Sequence, residues 1–337
     1  MKKRIFRFSH QTMNLYADGG FSQLKSLAGR DKTILLTDEN VFEAHKTKFN
    51  NWNTIVLKAG EIWKVQETAD IIIEQLLEME ADRETILVGI GGGVITDLAG
   101  YVASVFMRGI SFGFVPTTLL AMVDASLGGK NGVNVGVYKN MIGTIRQPQF
   151  ILYDTAFLKT LPLKEWSNGF AEIIKHAAIK NASMFVELEK HNIEFYQKKQ
   201  SEIRSLINRN VLLKLKMVQE DEYEKGNRKL LNFGHTIGHA LENQYELSHG
   251  DAISVGMVYA GRLSEKWLSF KDTGRITQVL EQYGLPTSAS FEKQEVLHIV
   301  CNDKKKSANR INFVLLHRIG KAAIVPLTTQ QIGEVLT

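Results

Sequence analysis

Cysteine is almost absent: Cys301 is the only one in 337 residues. No intrachain disulfide can form and no thiolate metal cluster can be built within one chain, which points to a reducing, cytoplasmic setting. Proline is scarce too, at five residues, and with 44% apolar and 23% charged residues the chain is neither disordered nor of low complexity. Neither charge dominates. The 41 basic and 36 acidic residues leave a formal +5, which slightly favours small anionic partners and is too weak to indicate nucleic acid. No helical stretch clusters Lys and Arg with interleaved aromatics, so a nucleic-acid-docking role finds no support. Long hydrophobic runs are missing with one exception. Ile86 to Met107 has the length of a membrane span, yet it carries Asp97 and five glycines. It reads instead as a buried strand, a glycine turn and a buried helix. The opening MKKRIFRF is basic but has no apolar core of signal-peptide length, so secretion is not expected.

What is present suggests two domains, as the length alone does. The first half alternates short β-rich runs with helical periods, the pattern of a parallel sheet with crossover helices. Strands are expected at Thr33–Thr37, Asn53–Leu57, Thr85–Ile90, Phe112–Val115 and Ile151–Tyr153. Helices are expected from about Val65 to Met79, with Ile71, Ile72, Leu76 and Leu77, and over Asp97–Phe106. After Pro162 the texture becomes long amphipathic helix: Phe170–Ile179, Ile203–Val218 and Gly234–Tyr245, with a small β excursion at Ile311–Leu316 and Ala322–Leu327. The fold expected is an α/β, Rossmann-like N-terminal domain over residues 1–158 and a mainly α-helical C-terminal domain over 159–337. The halves would share an interface, and the active site would lie in the cleft between them.

Three constellations could carry chemistry. A strand running into Gly91-Gly92-Gly93 and a helix is one way to bring backbone amides to a pyrophosphate, although Val94 stands where a GxGxxG fingerprint needs its third glycine. Asp38, at the end of an earlier strand, could hold a ribose or simply close a turn. Residues 116–143 form a glycine-rich run with Asp124, Lys130, Asn134, Lys139 and Asn140, expected as a site-lining loop whose lysines suit phosphate oxygens. Most informative are the histidines of Leu231–Glu242, LNFGHTIGHALE, with Ser248-His249-Gly250-Asp251 following. The four-residue spacing of His235 and His239 suits a shared divalent metal. A helix-capping or core pair, or one metal ligand beside one proton-transfer residue, are the rival readings. Thr236 replaces the glutamate of HExxH, which disfavours a metalloprotease. Glu172 and Lys175 share a helix face and could add an oxygen ligand and a substrate cation, or be an ordinary surface pair.

Taken together, GGGVITDLAG, PTTLLAMVDASLGGKNGVN, KNMIG, FAEIIKH, LLNFGHTIGHALE, HGDAISVGM and the late Asp303-Lys304-Lys305 make the chain resemble the 3-dehydroquinate synthases, from about Asp38 to Gly320. The resemblance implies a shikimate-pathway enzyme of aromatic amino acid biosynthesis. It would be a phosphate-eliminating lyase that turns 3-deoxy-arabino-heptulosonate 7-phosphate into 3-dehydroquinate. It implies NAD and a divalent metal, most often zinc with cobalt an alternative, and a transient oxidation, phosphate elimination, re-reduction and aldol closure. The metal ligands it implies are Glu172, His235 and His249, leaving His239 as the proton-transfer residue. NAD would meet Asp38, Asn40, Glu61, Lys64, Gly92, Gly93, Asp97, Thr117, Thr118, Asp124, Lys130 and Lys139. Substrate would meet Arg108, Lys130, Asn140, Lys175, Lys214, Arg228, Asn232 and either Lys304 or Lys305. Arg228 suits the carboxylate, because a guanidinium engages both oxygens at once. Ala125 departs from the family pattern, where a serine is common after the aspartate. Homodimers are common in the resembled family, and no membrane or nucleic-acid partner is expected. The rivals are another sugar phosphate cyclase and a metal-dependent polyol dehydrogenase of related fold.

Overall fold

The computed structural model describes residues 2–17, 19–136, 138–245, 247–303 and 310–336, with backbone alone at 301–303. The chain forms two compact units, Met1–Glu165 with Arg204–Tyr223, and Trp166–Ile203 with Glu224–Thr337.

The first unit is built on strands rich in Val, Ile and Leu. Its strands are β1 (Lys2–Arg7), β2 (Thr12–Ala17), β3 (Thr33–Asp38), β4 (Asn53–Leu57), β5 (Ile86–Gly91), β6 (Ser111–Pro116), β7 (Lys130–Val135), β8 (Tyr138–Ile145) and β9 (Phe150–Leu152). Seven of them make one sheet in the order β1-β2-β9-β6-β5-β3-β4, antiparallel only between β1 and β2. Strand β3 is buried from Thr33 to Thr37, as a central parallel strand covered on both faces must be. This is why β3, β5, β6 and β9 read as apolar runs without alternation.

The helix Gln66–Glu78 buries Ala69, Ile72 and Leu76 on one stripe, while Ile71 and Leu77 face solvent. The helix Gly93–Val105 leaves β5 directly and buries Ile95, Leu98, Ala99, Val102 and Ala103. Ile86–Met107 is therefore strand, turn and helix, and among the described residues no helix is long and apolar enough to cross a membrane.

The run 116–143, expected as a loop, is corrected by the structure. Only its first part is irregular, with a π-helical turn at Ala121–Ala125; β7 and β8 then pair as an antiparallel hairpin with Gly132 opposite Gly143. The hairpin was hidden because β7 buries polar Asn131 and Asn134 with Gly132 and Val133, so no polar–apolar alternation marks it. Asn131 satisfies its buried amide by donating to the carbonyls of Gly129 and Arg146 at 2.8 and 2.9 Å.

The second unit is mainly helical, with a hairpin of β10 (Arg310–Arg318) and β11 (Lys321–Thr328). Its core packs Ile237 and Leu241, on the helix His235–Gln244, against Val255, Tyr259 and Leu263 of the helix His249–Leu268 and against Phe313 and Leu315 of β10.

Candidate metal centre and nucleotide turn

Backbone proximity decides the geometry of the second unit. Gly234 opens its helix with φ +80°, a conformation that other residues rarely adopt. A Cβ placed on Gly256 would lie 2.0 Å from the Gly234 carbonyl and 2.8 Å from the Gly238 amide. Glycine at 256 therefore lets the two helices touch backbone to backbone. Gly234 and Gly238 occupy the contact face, one turn apart, so His235 and His239 are carried together onto the neighbouring face. Gly250 does the same against Asn168: an added Cβ would lie 2.6 Å from the Asn168 Cα. Ser248 caps the helix by accepting from the Asp251 amide at 3.3 Å, and its hydroxyl donates to Asn168 Oδ1 at 2.9 Å. His249, the first residue of that helix, is thereby fixed beside Glu172 of the helix Leu163–Lys180.

Glu172, His235 and His249 converge, each offering one ligand atom within 4.8 Å of the others. Nε2 of His249 lies 3.3 Å and Nε2 of His235 3.6 Å from Glu172 Oε1. The Nδ1 atoms point away to acceptors, His235 to the Phe233 carbonyl at 3.2 Å and His249 to Glu242 Oε2 at 3.3 Å. Acceptors on Nδ1 place the protons there and leave the Nε2 lone pairs facing a carboxylate. Lone pairs meeting at a buried point require a proton or a cation between them, and two imidazoles with one carboxylate are a donor set suited to a divalent transition metal. The residues fit such an ion.

Without a cation a proton takes that place. Burial, the largest single influence on His249, disfavours its charged form, but the hydrogen bonds to Glu172 and Glu242 outweigh it and push the imidazole up to about 10. Burial, helped by Lys175, drives His235 well below the usual histidine range. Glu172 is fully buried and also ion-paired to Lys175 one turn on, with His176 Nε2 3.9 Å from its other oxygen.

The two histidines of the HTIGH segment are separated by these contacts. His235 belongs with Glu172, whereas His239 groups with Glu242 and His249. Its ring centroid stands 5.0 Å from that of His235 and 6.4 Å from that of His249. Arg228, buried, and Asn232 lie on one short turn, Asn227–Asn232, and Asn232 donates to Glu224 Oε1 at 2.6 Å. Lys304 and Lys305 lie outside the described residues. Glu242 joins this group through spacing visible in the sequence: His235, His239 and Glu242 follow an i, i+4, i+7 pattern that places all three on one helix face.

In the first unit, Gly92 precedes the helix Gly93–Val105 with no side-chain cap and no acidic residue in the first turn, which leaves its end amides open to an anion. Thr117 and Thr118 follow β6 beside it: Thr117 Oγ1 is buried with no partner among the described residues, and Thr118 Cγ2 would touch a Cβ on Gly92 at 3.1 Å. Asp97, on the same helix, is paired with Lys64 at 2.5 Å, and burial raises its carboxyl against the opposing pull of Lys64. Lys64 also donates to Asn140 Oδ1 at 2.6 Å. Asn134, one of the polar residues of the 116–143 run, donates to Glu61 Oε1 and accepts from the Asn140 amide, both at 2.9 Å. These links join Glu61, Lys64, Asp97 and Asn140, and Lys139 stands beside Asn140 on β8. Asn140 holds φ +55° there.

Asp38 caps the helix that contains Asn40, accepting from the Val41 amide at 3.0 Å, and burial raises its carboxyl. Lys214 donates to both Oδ1 and the carbonyl of Asp124 at 2.7 Å. Lys130 is exposed at the start of β7. Arg108 is not brought to this group: it lies past the far end of the helix Gly93–Val105, about 20 Å from Gly92 by the rise of a 13-residue helix.

Comparison with known proteins bears on the same residues. Residues 54–168 match the family model for the 3-dehydroquinate synthase N-terminal region, and residues 169–306 that for its C-terminal region. The chain is similar to the 3-dehydroquinate synthase of Pyrococcus abyssi, 43% identical over 319 residues, covering 93% of this chain and 90% of that protein. Among solved structures it is similar to 2-deoxy-scyllo-inosose synthase complexed with carbaglucose-6-phosphate, NAD+ and Co2+. That match has a TM-score of 0.86 and 26% identity, and covers 99% of each chain. It is also similar to a 2-epi-5-epi-valiolone synthase from Streptomyces hygroscopicus with NAD+ and Zn2+ bound, TM-score 0.88, 25% identity, covering 100% of this chain and 97% of that one.

Proposed function

The chain belongs to the 3-dehydroquinate synthase family, and from that premise we propose how its residues divide the work of converting 3-deoxy-arabino-heptulosonate 7-phosphate into 3-dehydroquinate and phosphate. Glu172, His235 and His249 hold a divalent cation, zinc or cobalt. Gly92 and Gly93 receive the pyrophosphate of NAD at the open helix end, with Thr117 and Thr118 beside it. Asp38, Asn40, Glu61, Lys64, Asp97, Asp124, Lys130 and Lys139 complete the nucleotide set. When bound, the nicotinamide supplies a reversible hydride acceptor and the cation a Lewis acid for the carbinol being oxidised.

The chain's own residues supply the rest. Arg228 takes the substrate carboxylate bidentately, and Asn232, held by Glu224, orients a hydroxyl. Lys175 meets substrate oxygens while neutralising Glu172, so that the buried carboxylate keeps its charge. Lys130, Asn140, Lys214 and one of Lys304 or Lys305 meet the phosphate and remaining hydroxyls. His239, outside the ligand set but facing the same space as His249, moves the proton that must leave before phosphate can depart. The setting is cytoplasmic and the assembly a homodimer in this reading, which rests on the single cysteine and on the family resemblance.

The observation that carries the proposal is the convergence of Glu172, His235 and His249 with both Nδ1 atoms already engaged. The test is His249→Ala, which should strip activity in a way that excess zinc partly restores, together with a zinc content that falls below one ion per chain. Unchanged activity and zinc content in that variant would remove His249 from the centre.

A further inference from the structure

The two histidines facing Glu172 are supported differently. His235 presents its Nδ1 to a neutral backbone carbonyl, that of Phe233, two residues away on its own chain segment. His249 presents its Nδ1 to the carboxylate of Glu242, a side chain from the helix His235–Gln244 that packs against it. Glu242 is buried, with its side chain 6% exposed, while that of His249 is 29% exposed. A buried carboxylate is expensive to desolvate unless it serves partners, and here it stands where the more exposed imidazole needs a fixed acceptor.

We infer that Glu242 is the positioning residue of the candidate metal centre, orienting His249 and strengthening its Nε2 as a donor through the Nδ1–H hydrogen bond. The inference rests on the assignment of Glu172, His235 and His249 as ligands. A carboxylate accepting from the distal nitrogen fixes the tautomer, fixes the ring plane and makes the imidazole a better base; a carbonyl does the first two with less effect on basicity. The cation would therefore be held by one ordinary histidine and one activated one. The helix geometry supplies the reason for Glu242 in particular. His235, His239 and Glu242 share a face, so the helix that contributes one ligand also contributes the support for the other, and a ring nitrogen of His239 lies within 4.8 Å of a Glu242 carboxylate oxygen and a His249 ring nitrogen. Moving that helix shifts a ligand and a support together.

The test uses the full chain as wild type, Glu242→Gln and Glu242→Ala, each checked for a cooperative thermal transition. Zinc affinity is read by competition with a chromogenic chelator, and donor strength at His249 by the visible absorption bands of the Co2+-loaded protein. Glu242→Ala should weaken zinc binding about 10- to 100-fold and shift the cobalt bands. Glu242→Gln, which keeps an acceptor oxygen but not its charge, should shift the bands in the same direction and lose less affinity. Wild-type affinity with unchanged cobalt bands in Glu242→Ala would overturn the inference. So would equal losses in both variants with unchanged bands, the mark of a merely structural role. Should Glu242→Ala not fold, the cobalt bands of Glu242→Gln decide: shifted bands support the inference, and bands identical to wild type overturn it. A wild-type chain that binds neither zinc nor cobalt would instead bring down the metal assignment itself, and this inference with it.

Discussion

At the scale of single residues, the division of labour between His235 and His239 is the sharpest statement the site makes. Spacing alone makes them a pair, and two histidines one turn apart do suit one metal. Which of them faces Glu172 depends on a helix that arrives from some sixty residues earlier, and no local pattern encodes that. His239→Ala should therefore keep zinc and NAD binding at wild-type levels while turnover falls by about 10²- to 10⁴-fold, the range for losing a general acid–base group; zinc content and steady-state rates check this, and loss of bound zinc would make His239 a ligand. Arg228→Lys should raise the substrate KM about tenfold or more, since a point charge replaces a bidentate fork, with NAD affinity unchanged in a fluorescence titration. The protonation of His249 gives a further expectation. With its pKa at about 10 in the cation-free protein, it is charged at neutral pH, and an entering cation must displace that proton. Zinc affinity should then rise about tenfold per pH unit from 7 towards 9, with about one proton released per ion. Calorimetry in buffers of different ionisation heat measures the release, and none would show that the proton lies elsewhere.

At the scale of elements, the strands and helices of the first unit were mostly legible because buried parallel strands are apolar throughout and bounded by turns. Asn53–Leu57 appears where the sequence placed it, and β5 differs by one residue at each end. The helix after the glycine turn begins at Gly93, four residues earlier than the sequence placed it, because its first turn combines open amides with buried Ile95 and Thr96, a mixture that no helical apolar period marks. The β7–β8 hairpin was illegible for the opposite reason: its buried asparagines find polar partners, Asn131 on two backbone carbonyls and Asn134 on Glu61 and the Asn140 amide, and a polarity pattern scores such residues as loop. The glycines of the second unit were visible as letters, but their purpose is pairwise. Gly256 matters because Gly234 and Gly238 face it. Gly256→Ala should force these helices apart, lowering stability by about 1–3 kcal/mol as overpacking does and weakening zinc together with it, since His235 and His249 sit on the two helices. Denaturant unfolding and chelator competition on one sample test the coupling; a stability loss with unchanged zinc affinity would show that the ligands do not depend on that contact.

At the scale of the whole molecule, the candidate residues come from segments spread across both units, and chain order does not follow the units. Arg204–Tyr223 belongs with the first unit although it follows helices of the second, which places Lys214 on Asp124. A linear reading gives no sign of that return. What remained legible was the chemistry: histidines, a buried glutamate, lysines beside glycines and an open helix end are the parts needed to oxidise a carbinol, expel phosphate and reduce the product again within one turnover. The most direct measurement is phosphate release from 3-deoxy-arabino-heptulosonate 7-phosphate, followed together with NADH absorbance, in the presence and absence of NAD and of a chelator. One phosphate per substrate with no net NADH, abolished by removing the cofactor or the cation, is the predicted result. Accumulating NADH without phosphate, or phosphate release indifferent to the chelator, would contradict the account.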